Sequence, residues 1–286
     1  MGKIFIAGAA GNIGSALIDT LGDKAEIVAG VHSPEKGASL DGDCVEPRVC
    51  DFGDAESMER AMEGCDRMFL VLPLHERLAR YGRVAVDAAK KAGIRYIVRS
   101  SAYGASSDAH WRLGREQGMV DQFVEDSKIP FTVLRPNTFM QNFSTFMAPM
   151  IRSGVIALPE EEYKVSYIDV RDIAACAARL LLDSAGFEDG FYALTGPRGL
   201  TLAEVAETIS EAAGVKVAYT PVDEETFIRD LDQAGVPEWN RNMLVSLSRV
   251  VKLGMLGNVT QAVEYLTGAP ARTFADFAAE SAAAWT

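Results

Sequence analysis

Short apolar runs alternate with amphipathic segments of helical length through the first half of the chain. The apolar runs are Ile4–Ala7, Ile27–Ala29, a weaker one at Val45–Val49, Met68–Leu72, Tyr96–Val98 and Phe131–Leu134. The helical segments lie near residues 12–21, 54–63, 76–92 and 112–127, with Asp54 and Ser57 as candidate N-terminal caps and Gly93 as a helix exit. Apolar strands that alternate with helices are typical of parallel βαβ units. The pattern therefore predicts an α/β fold with a doubly wound parallel sheet.

The regular alternation ends at Pro136. An aromatic and Met-rich segment follows at 139–150, then a short strand at Val155–Leu158 and a helix at Asp169–Leu182 that should return to the sheet. Further helices are predicted at 201–214, 223–234, 237–252 and 273–284. Because no repeat or Pro-, Gly- or Ser-rich linker interrupts the chain, we expect a sheet core at 1–136 and a smaller, mainly helical C-terminal lobe within 137–286, interleaved with that core.

The first strand runs directly into a glycine-rich loop that opens the first helix. Its sequence is Gly8-Ala9-Ala10-Gly11-Asn12-Ile13-Gly14. Gly8 lets the chain turn off the strand, Gly11 lets main-chain amides approach a pyrophosphate, and Gly14 lets the helix pack closely on the strand. The alternative is a glycine-rich turn that binds nothing. Strand, spacing and helix together favour a Rossmann-type dinucleotide site with contacts from Gly8, Ala10, Gly11, Asn12, Ile13 and Gly14.

The residues after the second strand indicate which dinucleotide binds. An NAD site usually has an acidic residue there that binds both ribose hydroxyls. This chain instead has His32, Ser33 and Lys36, which could lie beside a 2′-phosphate. The alternative is a loop that is simply solvated. We therefore expect NADP(H) as the favoured cofactor, with NAD(H) as the second choice.

Further cofactor contacts are predicted where later strands end. Asp51 is placed to hydrogen-bond an adenine amine or, as an equal alternative, to cap the next turn. Pro136 is assigned a main-chain contact beside the nicotinamide ribose, although it could be only a chain breaker. Phe52, Leu72 and Pro73 complete this part of the predicted site.

Composition and charge exclude several other classes of partner. The formal net charge is −12 and no Lys/Arg run occurs, so nucleic-acid binding is disfavoured. No apolar run approaches the roughly 20 residues that span a bilayer, and the opening residues do not follow the pattern of a secretory signal. The four cysteines show no CxxC spacing and the three histidines are scattered, so we expect no metal site. A cytoplasmic protein, with a homodimer as one open arrangement, is the expectation.

Several motifs together resemble one family. The Gly-x-x-Gly-x-x-Gly loop, Cys50–Asp54, Leu134–Phe143, Thr195–Pro197 and Leu266–Phe274 are similar to the NmrA-like atypical short-chain dehydrogenases, and the likeness covers nearly the whole chain. The resemblance implies a Rossmann core with a small C-terminal substrate lobe and binding of NADP(H) or NAD(H). The family includes quinone and triphenylmethane-dye reductases, phenylpropanoid ether reductases, and redox-sensing regulators that bind the cofactor without turning it over.

The resemblance also implies residue roles around the nicotinamide. The contacts that follow the fifth strand fall on Ser100, Ser101, Ala102 and Tyr103. The lysine that many members carry on the next helix falls on Gln117. No Tyr-x-x-x-Lys sequence occurs in this region, so the usual proton relay has no counterpart. Tyr103 and His110 are the candidate catalytic residues, each with an ordinary surface or packing role as the alternative.

An aromatic pocket is the expected place for the substrate. Its candidate contacts are Phe139, Met140, Asn142, Phe143, Tyr167 and Trp239, although such a stripe of Met and aromatic residues is more often core. A quinone or similar aromatic acceptor needs little acid catalysis, so the sequence favours an NAD(P)H-dependent reductase acting on a small aromatic molecule. The alternative is a non-catalytic NADP(H) sensor that acts through a protein partner. A nucleotide-sugar isomerase or epimerase is disfavoured by the absent Tyr-x-x-x-Lys sequence.

Overall fold

The computed structural model describes residues 2–40, 42 and 44–286. The strands are β1 (Lys3–Ala7), β2 (Ile27–Val31), β3 (Val45–Val49), β4 (Cys65–Val71), β5 (Tyr96–Ser100), β6 (Phe131–Pro136), β7 (Val155–Leu158), β8 (Gly190–Leu194) and β9 (Ala218–Pro221). The α-helices are α1 (Asn12–Leu21), α2 (Pro34–Gly37), α3 (Ala55–Ala61), α4 (Leu78–Ala92), α5 (Arg112–Asp126), α6 (Gln141–Ser144), α7 (Ala148–Arg152), α8 (Val170–Leu182), α9 (Leu202–Ala213), α10 (Glu224–Gln233), α11 (Glu238–Val251), α12 (Ala262–Thr267) and α13 (Phe274–Ser281).

The main sheet confirms the predicted doubly wound architecture. Within the described residues it has seven strands in the order β3-β2-β1-β4-β5-β6-β8. The neighbouring pairs from β3 to β6 run parallel. Strands β2 and β5 are buried at every position, because helices cover both faces of a parallel sheet and leave no solvated side. The order reverses between β1 and β4, which is where open α/β sheets bind ligands.

The chain divides into two compact units. The first comprises Met1–Pro136 and Val170–Ala193, and the second comprises Asn137–Asp169 and Leu194–Thr286. Helix α8 therefore belongs to the first unit, where it packs against α1. Helix α4 packs against both α3 and α5.

Two predicted helix ends in the first unit are confirmed. Asp54 is the N-terminal cap of α3, and its side chain accepts hydrogen bonds from the amides of Glu56 and Ser57. The prediction that Ser57 caps this helix is therefore wrong, because Ser57 lies in its first turn. Gly93 ends α4 in the left-handed region with φ 80°, a conformation that glycine adopts without strain.

The second unit contains the two-stranded parallel sheet β7-β9 and a cluster of aromatic side chains. Rings of Phe143, Tyr167 and Phe274 contact one another at centroid distances of 5.1 to 6.1 Å. Phe277 joins Phe274 to Trp285, whose indole Nε1 donates a hydrogen bond to the carbonyl oxygen of Phe143 at 2.8 Å. The chain terminus is therefore tied into the core of this unit.

Two strands, β8 and β9, were not predicted from the sequence. β8 contains the short apolar run Phe191–Leu194, which was not among the predicted strands, whereas β9 is short and largely exposed. Their pairing with β6 and β7 depends on the tertiary structure. No helix within the described part of the chain is both long enough and apolar enough to cross a membrane.

Candidate cofactor site and active site

The glycine loop between β1 and α1 has no room for side chains at its critical positions. Gly8 has φ 71°, where an L-residue is strained. A Cβ on Gly14 would lie 2.4 Å from the carbonyl oxygen of Gly8 and 2.7 Å from that of Ala9. The helix can approach the strand this closely only because residue 14 is glycine.

The first turn of α1 is left without a side-chain cap. Its N-terminal cap is Gly11, which makes no side-chain hydrogen bond. Helices α4, α5 and α11 likewise lack a side-chain cap, so α1 is distinguished by the glycine loop in front of it. Gly11 and Asn12 are exposed and Ala10 is partly exposed, while Ile13 is buried under the helix. The loop thus offers main-chain amides and the positive end of the helix dipole, and this arrangement fits a pyrophosphate.

The end of β2 carries the polar groups that the sequence assigned to a 2′-phosphate. His32 and Lys36 are exposed, and Ser33 is the N-terminal cap of α2. The pKa of the Glu35 carboxylate is lowered, chiefly by the neighbouring Ser33 hydroxyl. A 2′-phosphate at this position would compete with Glu35 for the same hydroxyl.

Asp51 occupies the turn after β3. Its Oδ1 accepts a hydrogen bond from the amide of Gly53 at 2.7 Å, and its own amide donates to Ser57 Oγ at 3.2 Å. The turn-capping alternative is therefore present in the structure, and the bond to adenine stays a prediction. Phe52 stacks on Tyr81 at 6.1 Å between ring centroids. At the end of β4, Leu72 is buried and Pro73 is exposed.

The chain after β5 continues beside β6. Ser101 donates its amide hydrogen to the carbonyl oxygen of Leu134, and Tyr103 donates to that of Pro136, both at 2.8 Å. Ser100 and Ser101 are buried and Tyr103 is partly exposed. The structure thus brings the predicted nicotinamide contacts Ser101 and Pro136 to the same edge of the sheet.

His110 ends a loop that packs on α5. A Cβ on Gly118 would lie 2.1 Å from the carbonyl carbon of Ser106, so the loop rests directly on the helix backbone. His110 itself is exposed, and Arg115 donates from Nη1 to the carbonyl oxygen of Ala109 at 3.0 Å. Within the described residues, no group of three or more His, Cys, Asp or Glu side chains could hold a metal ion.

The sequence prediction missed a buried polar cluster beneath the end of β5. The side chains of Arg99, Gln117 and Asp121 are all less than a tenth exposed, and the guanidinium of Arg99 donates to the side-chain carbonyl of Gln117. The signal was an arginine directly after the apolar run Tyr96–Val98. Because β5 extends to Ser100, that arginine lies within a fully buried strand and must find partners there.

The predicted substrate contacts separate into two groups by burial. Met140, Phe143 and Tyr167 are 1 to 3% exposed, and burial raises the pKa of the Tyr167 hydroxyl well above 10. Phe139 and Asn142 are partly exposed, and so is Trp239 on α11. The buried group belongs to the core of the second unit, so the partly exposed group is the better placed to meet a ligand.

The chain is similar in sequence and fold to known NAD(P)H-dependent reductases. The chain is 34% identical over 283 residues to an NAD(P)H azoreductase of Xenophilus azovorans, with 99% of each chain covered. Its fold is similar to that of the NADPH-dependent quinone oxidoreductase of Escherichia coli solved with NADPH, with a TM-score of 0.87 and 28% identity over 97% of this chain and 99% of that one. A triphenylmethane reductase of Citrobacter solved with NADP(H) has a TM-score of 0.85 at 24% identity, over 98% and 99% of the two chains. Residues 1–265 match the model of the NmrA-like family, and the chain belongs to that family.

Proposed function

We propose that this protein is an NADPH-dependent reductase that transfers hydride to a quinone or similar aromatic acceptor. The observation that carries the proposal is the glycine loop that leads from β1 into the N-terminus of α1, where Gly14 admits no side chain. The azoreductase and quinone oxidoreductase to which the chain is similar support the reaction class.

The cofactor would be held mainly by main-chain groups. The loop residues Gly8 to Gly14 would receive the pyrophosphate, with Asp51 and Phe52 near the adenine and Leu72 and Pro73 at the end of β4. Ser100, Ser101 and Pro136 would contact the nicotinamide half. His32, Ser33 and Lys36 would receive a 2′-phosphate, which favours NADPH over NADH.

Bound nicotinamide supplies the hydride, so the protein's own part is orientation and proton supply. Tyr103 and His110 both keep exposed surface and are the candidate proton donors. We assign acceptor contacts to Phe139, Asn142 and Trp239. Met140, Phe143 and Tyr167 would support them from the aromatic core of the second unit.

A panel assay tests the reductase proposal. Purified protein is mixed with NADPH or NADH and with quinones, azo dyes and triphenylmethane dyes, and oxidation is followed at the nicotinamide absorbance band. We expect turnover with at least one aromatic acceptor and a preference for NADPH. His110→Ala and Tyr103→Phe, assayed beside the wild type, would identify the proton donor through a change in the pH dependence of kcat.

One result of this assay would overturn the reductase proposal. Tight NADPH binding with no turnover across the panel would overturn the reductase proposal and favour a redox sensor, for which NADP⁺ and NADPH should alter a protein contact differently. The absence of nucleic-acid binding is also part of the proposal and is supported by the net charge of −12. A gel-shift experiment tests it, and sedimentation tests for a homodimer.

A further inference from the structure

A connected group of polar side chains lies at the carboxyl end of β5 and β6. We call Arg99, Ser101, Gln117, Asp121 and Arg135 the Arg99 cluster. All its members are less than a tenth exposed except Arg135, whose side chain is 27% exposed. The members come from β5, the residue after it, α5 and β6, so the cluster joins three elements of the first unit.

Arg99 holds the ends of two neighbouring strands. One guanidinium nitrogen, Nη1, donates to the carbonyl oxygen of Ser100 and, at 3.5 Å, to that of Leu70. The other, Nη2, donates to Oε1 of Gln117. The planar fork thus spans β4, β5 and α5 at once, which a lysine ammonium would not do with the same geometry.

Asp121 joins the remaining members through one carboxylate oxygen. Its Oδ2 accepts from Ser101 Oγ at 3.0 Å and from Arg135 Nη2 and Nε at 3.0 and 3.1 Å. The Nε of Arg99 lies 3.7 Å from Oδ1. Since Ser101 has a single hydroxyl hydrogen and donates it to Asp121, the oxygen of Ser101 is left to act as an acceptor.

The cluster is expensive to bury, and stability alone does not account for it. Removing charges from water costs more than a buried ion pair usually returns. Burial lowers the pKa of Arg99 from 12.5 to about 10, although the carboxylate of Asp121 partly opposes this effect. With two guanidinium groups and one carboxylate, the cluster also keeps a net positive charge. Such a group at the carboxyl ends of parallel strands, the end of the sheet at which α/β proteins bind ligands, is better explained by positioning than by stabilisation.

We propose that Arg99 and Asp121 are positioning residues that hold the Ser101 hydroxyl as a hydrogen-bond acceptor for the nicotinamide-riboside half of the cofactor. This rests on the proposed function, because it presupposes a bound dinucleotide. Ser101 is 7% exposed and Arg99 is 0% exposed, so of these two only Ser101 can reach a ligand. The carboxamide N–H and the ribose O–H groups of that half are the donors it could accept from.

The same cluster accounts for Gln117 in place of the lysine that the family resemblance implies. The buried cation here is Arg99 on β5, and its guanidinium occupies the neighbourhood of the residue 117 side chain. A lysine at 117 would face a like charge without a second carboxylate to balance it. A glutamine instead supplies an acceptor for the guanidinium.

Binding measurements with whole and partial cofactors test the proposal. NADPH contains the nicotinamide riboside, whereas 2′,5′-ADP contains only the adenosine phosphate part. Ser101→Ala should raise the Kd for NADPH about fivefold and leave the Kd for 2′,5′-ADP unchanged. Thr132→Val is the matched control, because it removes a buried hydroxyl that bonds Tyr96 and Phe187 within the same unit. It should leave the ratio of the two Kd values unchanged.

Asp121→Asn tests the positioning role directly: it removes the charge that fixes the Ser101 hydrogen and should raise the Kd for NADPH but not that for 2′,5′-ADP. Two variants at 117 test the charge argument. Gln117→Glu keeps an acceptor for Arg99 and should preserve the Kd ratio, whereas Gln117→Lys should weaken NADPH binding selectively. A third probe, the oxidised 3-acetylpyridine analogue of the cofactor, lacks the carboxamide N–H. If Ser101 accepts from the carboxamide, Ser101→Ala should bind this analogue as well as the wild type does. If it accepts from a ribose hydroxyl, the variant should bind it more weakly.

Two outcomes would overturn the positioning role. One is an unchanged NADPH affinity in Ser101→Ala, or equal weakening of NADPH and 2′,5′-ADP. The other is a Gln117→Lys variant that binds NADPH more tightly than the wild type. Failure of the reductase proposal is distinguishable, since a wild-type protein that binds NADPH without turnover still allows every one of these comparisons.

Discussion

The glycine loop and the Arg99 cluster belong to the same unit but are built in opposite ways. The loop at residues 8–14 presents main-chain amides, and its shape depends on side chains being absent at Gly8 and Gly14. The Arg99 cluster is made of side chains, and its shape depends on a carboxylate that holds a hydroxyl and two guanidinium groups.

This difference decides how each site tolerates change. A main-chain site fails through steric contact, because an added Cβ displaces the backbone itself. A buried polar site fails through electrostatics, because removal of one partner leaves another charge without compensation. The first kind of failure should appear in ligand binding, and the second mainly in the free energy of unfolding.

The largest expected effect on NADPH binding comes from a change in the glycine loop. Gly14→Ala places a Cβ 2.4 Å from the carbonyl oxygen of Gly8, so α1 must move away from β1. A shift of that kind should weaken NADPH binding roughly a hundredfold. Isothermal titration measures it. Gly93→Ala is the control: it strains a helix end with φ 80° but has open space around the added atom. It should cost about 1 kcal/mol of stability and leave affinity unchanged.

The largest expected effect on stability follows from removing the carboxylate of the Arg99 cluster. Asp121→Leu leaves Arg99 buried without a counter-charge and should lower the free energy of unfolding by about 3–5 kcal/mol. The double variant Arg99→Met, Asp121→Leu removes both charges and should recover most of that loss. Urea denaturation of the two single variants and the double variant completes a mutant cycle. Simple additivity of the single effects would contradict the paired-charge description.

Glu160 is a partly buried carboxyl in the second unit whose pKa is set by burial, so it can be compared with the paired carboxylate of Asp121. Burial raises the pKa of Glu160 from 4.5 to about 7. The folded state therefore binds more protons than the unfolded state between these values, and stability falls as the pH rises through this window. Glu160→Gln removes the effect, so at about pH 8 it should exceed the wild type by about 2 kcal/mol, with the two nearly equal at about pH 4.

This stability difference is smaller than the full pKa shift would give, because the Glu160 side chain is only partly buried. Thermal unfolding across the pH range measures the difference between variant and wild type. Exposed Glu162 offers the matched control, and Glu162→Gln should show no comparable pH dependence. Parallel stability curves for the wild type and Glu160→Gln would contradict the assignment.

The smallest effect concerns the choice between NADPH and NADH. Lys36 is exposed at the end of β2, so its attraction for a 2′-phosphate is screened by solvent. Lys36→Ala should weaken NADPH binding about threefold and leave NADH binding unchanged. Glu35→Gln should instead tighten NADPH binding, because it frees the Ser33 hydroxyl and removes a negative charge that would repel the 2′-phosphate. Titrations at low and high salt check both, since the Lys36 effect should shrink as salt is added.

Much of the fold, but less of the candidate site, could be predicted from the sequence. The doubly wound sheet, the α3 cap at Asp54, the exit at Gly93 and the NmrA-like family are confirmed from patterns that are local in the chain. Strand β9 was missed because it is short and largely exposed, and β8 was missed although it carries the short apolar run Phe191–Leu194. The predicted catalytic and substrate residues stay predictions, and burial favours the partly exposed members among the latter.

By itself, the sequence determined the parallel sheet and the glycine loop. Both depend on short-range rules: the spacing of apolar residues along strands and helices, and glycine where a Cβ would collide with the backbone. Only the tertiary structure decided that Arg99 meets Gln117 and Asp121. The partners of a buried charge are set by which strands and helices pack together, and residues far apart in the chain carry no local mark of that packing.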